Sequence, residues 1–180
     1  MRMRFRLAAL LALAPILAGA AARAEEPPTH QIAGFERFFQ EAQPTCSFDS
    51  SHKCVDLCFA YADRDGDARL SVDELTLLRA DFGSWAQWKS PEMTKRERTS
   101  VAIGAYAMQA IGEKNFVAAY DSDGDGALTR EELLADVTLD ERPLGQVLQD
   151  PDAVDWASLQ QRMCAAAPFL GALGAASGAR

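Results

Sequence analysis

The chain has 180 residues, with 26 acidic against 18 basic side chains for a formal net charge of −8, and 48% of it is hydrophobic. That is about one domain's worth of chain with enough apolar material for a compact core, which excludes an intrinsically disordered polymer. The acidic balance repels nucleic acid and anionic lipid and attracts cations.

At the start, Arg2, Arg4 and Arg6 form a basic segment, Leu7 to Ala20 is an apolar run rich in Leu and Ala, and Ala22-Arg23-Ala24 offers small residues where a signal peptidase reads. This predicts a signal peptide over residues 1–24, cleaved between Ala24 and Glu25, and hence a periplasmic or secreted protein. The run is too short for a membrane span and no stop-transfer pattern follows it. Cleavage removes four arginines and no acid, leaving 14 basic against 26 acidic residues and a net charge of −12.

Residues 25–44 read as a leader in which Pro27-Pro28 precedes a short amphipathic helix, with Phe35, Phe38 and Phe39 on one face. That stripe reads as core before partner surface. A helix is predicted over 51–62, with Val55, Cys58, Phe59 and Ala62 sharing a face, then an acidic run, then a helix from Val72 to Phe82 stopped by Gly83. Trp85 and Trp88 fall in an extra helical region. Ser90-Pro91 marks a further helix start running to about Ile111, and Gly112 separates it from a helix over 113–120 that turns Phe116, Val117 and Tyr120 inward. A second acidic run, a helix over 131–137 and a terminal helix ending near Ala166 complete a domain over 45–168, with a flexible tail over 169–180. The class predicted is all-α.

The two acidic runs carry the chemistry. Asp121-Ser122-Asp123-Gly124-Asp125-Gly126-Ala127-Leu128-Thr129-Arg130-Glu131-Glu132 places carboxylates at alternate positions, a glycine after the third and a glutamate at the twelfth. Asp63-Arg64-Asp65-Gly66-Asp67-Ala68-Arg69-Leu70-Ser71-Val72-Asp73-Glu74 repeats the pattern with Ala68 in place of the glycine. Carboxylates about 5 Å apart repel by roughly 1–3 kcal/mol per pair, so a closed loop of this composition asks for a cation. Both runs resemble the calcium loop of the calmodulin-like EF-hand family.

The resemblance implies two calcium sites. In the second, Asp121, Asp123 and Asp125 give side-chain oxygens, Ala127 its carbonyl, Thr129 a water-mediated contact and Glu132 both carboxylate oxygens. In the first, Asp63, Asp65, Asp67, the Arg69 carbonyl, Ser71 and Glu74 take those roles. Ala68 in a left-handed conformation costs roughly 1–2 kcal/mol, and Arg64 and Arg69 add positive charge, so the 63–74 site is expected to be the weaker. The loops are expected to pair back to back through Leu70 and Leu128. The fragment Ala153-Val154-Asp155-Trp156 looks like the back half of a decayed loop, but Ser158 stands where the closing glutamate belongs, and no metal is assigned there.

Four cysteines in an exported chain read as two disulfides with three possible connectivities. Cys54 and Cys58 lie one turn apart on one helix, where bridging is geometrically poor. The favoured pairs are Cys46–Cys54 and Cys58–Cys164, with the swapped pairing next and a cysteine zinc site with His52 as the alternative chemistry.

Functionally, the sequence predicts calcium binding in an exported, monomeric, non-enzymatic protein, a buffer or a calcium-stabilised fold, free of nucleic acid and, after cleavage, of membrane. The alternative is a calcium-switched sensor or adaptor that docks an exported protein partner through Phe35, Phe38, Phe39, Trp85 and Trp88. Neither His30 nor His52 accompanies a nucleophile motif or phosphate loop, so catalysis is not predicted.

Overall fold

The computed structural model describes residues 29–166. The predicted signal peptide, its cleavage point, Pro27-Pro28 and the 169–180 tail lie outside the described residues.

The first helix, α1 (His30–Phe48), starts where the Thr29 hydroxyl accepts from the Ile32 N–H at 3.2 Å. It is much longer than the short helix expected, and it runs through Pro44. A proline inside a helix removes one backbone bond and costs about 3 kcal/mol. Ala42, just before it, is buried, and the turn beyond it is held by the disulfide from Cys46 to Cys54 on α2 (Ser51–Ala62). Apolar burial and the bridge together overrule the local breaker.

From α2 the chain enters the first acidic loop, forms the two-residue strand β1 (Leu70–Ser71), and continues as α3 (Val72–Lys89). A capping box between Ser71 and Glu74 sets the helix start. Gly83 does not stop α3, contrary to expectation, and Trp85 and Trp88 belong to this helix. The glycine penalty of about 1 kcal/mol is outweighed by burial in the next turn, where Trp85 and Ala86 pack with Ile32 and Phe35 of α1. Next, α4 (Lys95–Ile111) begins at a second capping box, Thr94 with Glu97, and not at Ser90-Pro91, where residues 90–93 only turn.

Gly112 ends α4 at φ 76°, and α5 (Glu113–Tyr120) begins at once. The second loop contributes β2 (Ala127–Leu128), which pairs antiparallel with β1 in the register Leu70↔Leu128 and Ser71↔Ala127. This is the back-to-back pairing expected of the two leucines. Leu128 and Leu70 are 0% and 2% exposed and sit in one core with Phe59, Leu75, Val117 and Tyr120.

The exit helix of the second loop, α6 (Arg130–Leu133), stops four residues short of the predicted Val137. Val137 instead forms an antiparallel bridge with Val154, Thr138 donates to the Ala153 carbonyl, and the Asp155 N–H donates to the Asp136 carbonyl. A short α7 (Leu144–Val147) and the terminal α8 (Trp156–Ala166) close the chain, α8 packing against α5. Asp136, 3% exposed, joins these parts by accepting from the Tyr120 hydroxyl at 2.8 Å and the Ser158 hydroxyl at 2.6 Å while pairing with Arg162 at 3.3 Å.

Candidate metal centre

Each loop folds around the carboxylates at its first and last positions. In the second, Asp121 Oδ1 accepts from the Gly124 N–H at 2.7 Å and Asp121 Oδ2 from the Gly126 N–H at 2.9 Å. Glu132 Oε1 accepts from the Ser122 N–H at 2.7 Å, and Oε2 from the Thr129 N–H at 2.9 Å. The first loop repeats this bond for bond. Asp63 takes the N–H groups of Gly66 and Ala68 at 2.8 and 3.0 Å, and Glu74 those of Arg64 and Ser71 at 2.7 and 2.9 Å. Backbone donors thus hold the carboxylates against their mutual repulsion, at positions fixed by chain spacing.

The repetition includes the residue that departs from the pattern. Ala68 stands at φ 65° and Gly126 at φ 87°, so the alanine takes the left-handed turn and carries its strain. In both loops the third aspartate caps the turn, Asp67 Oδ1 accepting from the Arg69 N–H at 2.8 Å and Asp125 Oδ1 from the Ala127 N–H at 2.9 Å.

The result is two groups of carboxylate oxygens of metal-ligand geometry: Asp63, Asp65 and Glu74, and Asp121, Asp123 and Glu132, each within 4.8 Å of one another. Of the other predicted ligands, the Ser71 and Thr129 hydroxyls lie at 2.8 and 2.9 Å from Glu74 and Glu132, at the rim of each group. Asp67 and Asp125 stand outside the two groups. Asp125 is paired with the Arg69 guanidinium, which crosses from the first loop to the second.

Arg64 does not add its charge to the first site as expected. Its guanidinium turns away to Asp81 at 2.6 Å and lies over the Tyr61 ring, while Asp81 also accepts from Gln31 and Tyr61.

The electrostatics arise from these bonds. The Thr129 N–H, with the hydroxyl and N–H of Ser122, holds the Glu132 carboxyl down to about 2. Burial pushes the Glu74 carboxyl up, but the donors of Ser71, Arg64 and Asp65 outweigh it and keep it below the usual carboxylate range. Both closing glutamates are therefore ionised at neutral pH, and the donor set is hard oxygen throughout, the chemistry suited to calcium or magnesium and unsuited to a soft metal.

The sequence reading missed two contributors to the loops, Ser122, whose hydroxyl donates to Glu132 at 2.8 Å, and the Arg69 to Asp125 pair, and one contact that anchors the start of α2, Ser51, fully buried and bonded to the Asp140 carbonyl at 2.7 Å. Only Ser122 had a local signal, a hydroxyl at the second loop position facing the closing glutamate. The other two are long-range contacts.

Cys46 and Cys54 are bridged, as favoured, but Cys58 and Cys164 are free. α8 lies against α5 of the second hand, whereas Cys58 faces the cleft between the helices around the first.

The helix, loop and helix from α5 to α6 form the unit to which a known family corresponds: the EF hand family model matches residues 118–137. With the two carboxylate groups, the match fits an EF-hand protein whose ligand is a divalent cation. The first loop lies outside the match and rests on its geometry. No curated protein and no solved structure matches the chain.

Proposed function

We propose that the protein binds two calcium ions, one in each loop, as an exported, monomeric and non-enzymatic protein that serves as a buffer or as a fold stabilised by the ion. The observation that carries this reading is the identical hydrogen-bonded cradle around Asp63 and Glu74 and around Asp121 and Glu132. Asp121, Asp123 and Glu132 would supply the second site's first oxygens, with Asp125, the Ala127 carbonyl and Thr129 completing the set. Asp63, Asp65 and Glu74, with Asp67, the Arg69 carbonyl and Ser71, would do so in the first. Export rests on residues 1–24, and an oxidising compartment agrees with the Cys46–Cys54 bridge.

Calorimetry on demetallated, oxidised protein tests the reading. Two saturable calcium events support it; one event limits it to the second loop, and none overturns it. A thermal melt gives a second readout, because a ligand bound only by the folded state stabilises it by about 2.7 kcal/mol at a hundredfold excess over Kd.

The adaptor reading keeps one supporting feature, an apolar cavity of about 450 Å³ lined by Phe35, Phe38, Leu75, Leu78, Phe82 and Met108 among others. Phe35 and Trp85 count against it as docking residues, both being 5% exposed. Calcium-dependent uptake of an apolar dye would favour the adaptor; unchanged dye fluorescence favours the buffer.

A further inference from the structure

Three of the four cysteines meet at the junction of α1 and α2. Cys46 and Cys54 are bridged, and the sulfur of the free Cys58 lies within 4.8 Å of both bridged sulfurs. The spacing produces this cluster. Cys54 and Cys58 are four residues apart on α2, so their side chains stand on one face, and α1 brings Cys46 against that face.

We propose that these residues form an intramolecular thiol–disulfide exchange site, in which Cys58 attacks Cys46 Sγ and the bridge moves from Cys46–Cys54 to Cys46–Cys58. The Cys58 thiolate supplies an electron pair to Cys46 Sγ, and the new bond forms as the Cys46–Cys54 bond breaks. The departing pair stays on Cys54 Sγ, which takes up the proton that Cys58 lost. No oxidant or reductant is consumed. Attack on Cys54 leads instead to a bridge within one helix, where the side-chain directions suit disulfide geometry poorly, so Cys46 is the productive target.

The two forms present different chemistry. In the present one Cys54 is 1% exposed, while Cys58 lines the apolar cavity beside Phe35, Phe38, Leu75 and Leu78. After exchange the free thiol is the buried Cys54, and the cavity wall carries a disulfide in place of a nucleophile. The end of α1 is then anchored four residues, about 6 Å, further along α2, closer to Asp63, where the first loop begins. The inference is independent of metal binding.

The test uses the oxidised wild-type protein, incubated at pH 8 without added thiol, quenched in acid, alkylated and mapped by mass spectrometry. The expected result is a detectable Cys46–Cys58 peptide with alkylated Cys54, in a proportion that does not change with protein concentration. Cys58→Ser abolishes it, Cys164→Ser leaves it unchanged, and Cys54→Ser moves the whole population to Cys46–Cys58. A wild-type map holding only Cys46–Cys54 overturns the proposal. So does exchange that grows with protein concentration, or a folded Cys54→Ser protein with Cys46 and Cys58 both alkylated.

Discussion

The first loop leads into α3, 18 residues long, whereas the second leads into α6, which lasts four. The cradles between these unequal supports are nevertheless the same, with the closing glutamate 2.7 Å from the second-position N–H and 2.9 Å from the ninth in both. Loop geometry is therefore set by local rules, by carboxylates capping N–H groups a fixed number of residues away. The surroundings of the loops are set by packing. Around the first hand lie an aromatic cluster and a disulfide; around the second, the buried Asp136 and its donors.

The largest effect should come from removing a closing carboxylate. Glu132→Gln keeps the shape and removes the charge of the proposed bidentate ligand, and a drop of about 100-fold in second-site affinity, or ~2.8 kcal/mol, is expected. Glu74→Gln should do the same to the first site and leave the second within a few fold. Calorimetry on each variant checks both, and loss of both sites from either change would show that the loops act as one unit.

Next comes the difference in support. Replacing Cys46 and Cys54 with alanine removes a bridge between residues eight apart, for an expected loss of about 2–3 kcal/mol and a fall in Tm of roughly 5–10 °C. Differential scanning calorimetry measures it. Because the bridge ties α1 to α2 and Asp136 holds the second hand separately, second-site affinity should survive. A parallel loss there would erase the distinction between the two supports.

These asymmetries show what the sequence made legible. The twelve-residue spacing located both loops because the cradle depends on neighbours within a dozen residues, whereas the pairing of Leu70 with Leu128 joins distant parts of the chain and was legible only through the resemblance of the two loops to a paired family. The breakers misled. Gly83 read as a helix end and the leader with its short helix stopped at residue 44, but Trp85 and Ala86 are buried against α1, and α1 continues through Pro44 to its bridge with α2, so tertiary contacts outweigh local propensity. The four-residue α6 was invisible for the same reason, since Val137 leaves the helix to pair with Val154, a partner that no local pattern names. At the site, the misplaced residue was Arg64, whose partner Asp81 lies 17 positions away.

A smaller effect separates Ala68 from Gly126. Ala68 already holds φ 65° in the folded loop, so Ala68→Gly releases about 1 kcal/mol in folding stability, less part of that in unfolded-chain entropy. Affinity at the first site should rise only as far as the loop is less ordered before the ion binds, by about fivefold at most if the whole ~1 kcal/mol appears there. Melts and titrations on the same variant divide the two contributions. Neither a higher Tm nor a tighter site would show that the alanine carries no strain.

The smallest effect tests whether the loops are separate at all. Arg69 belongs to the first loop but holds Asp125 of the second, with side chains 41% and 28% exposed. An ion pair that open contributes about 0.2–1 kcal/mol, and it occupies a carboxylate that the proposed second site would use. Arg69→Gln should therefore tighten the second site by about two- to threefold while leaving the first-loop carbonyl in place, and the gain should shrink as salt screens the pair. Measuring this in a Glu74→Gln background silences the first site, so any change belongs to the second. An unchanged second-site affinity at low salt would mean that Asp125 leaves Arg69 at no cost, and that the two loops are coupled by strand pairing but not by charge.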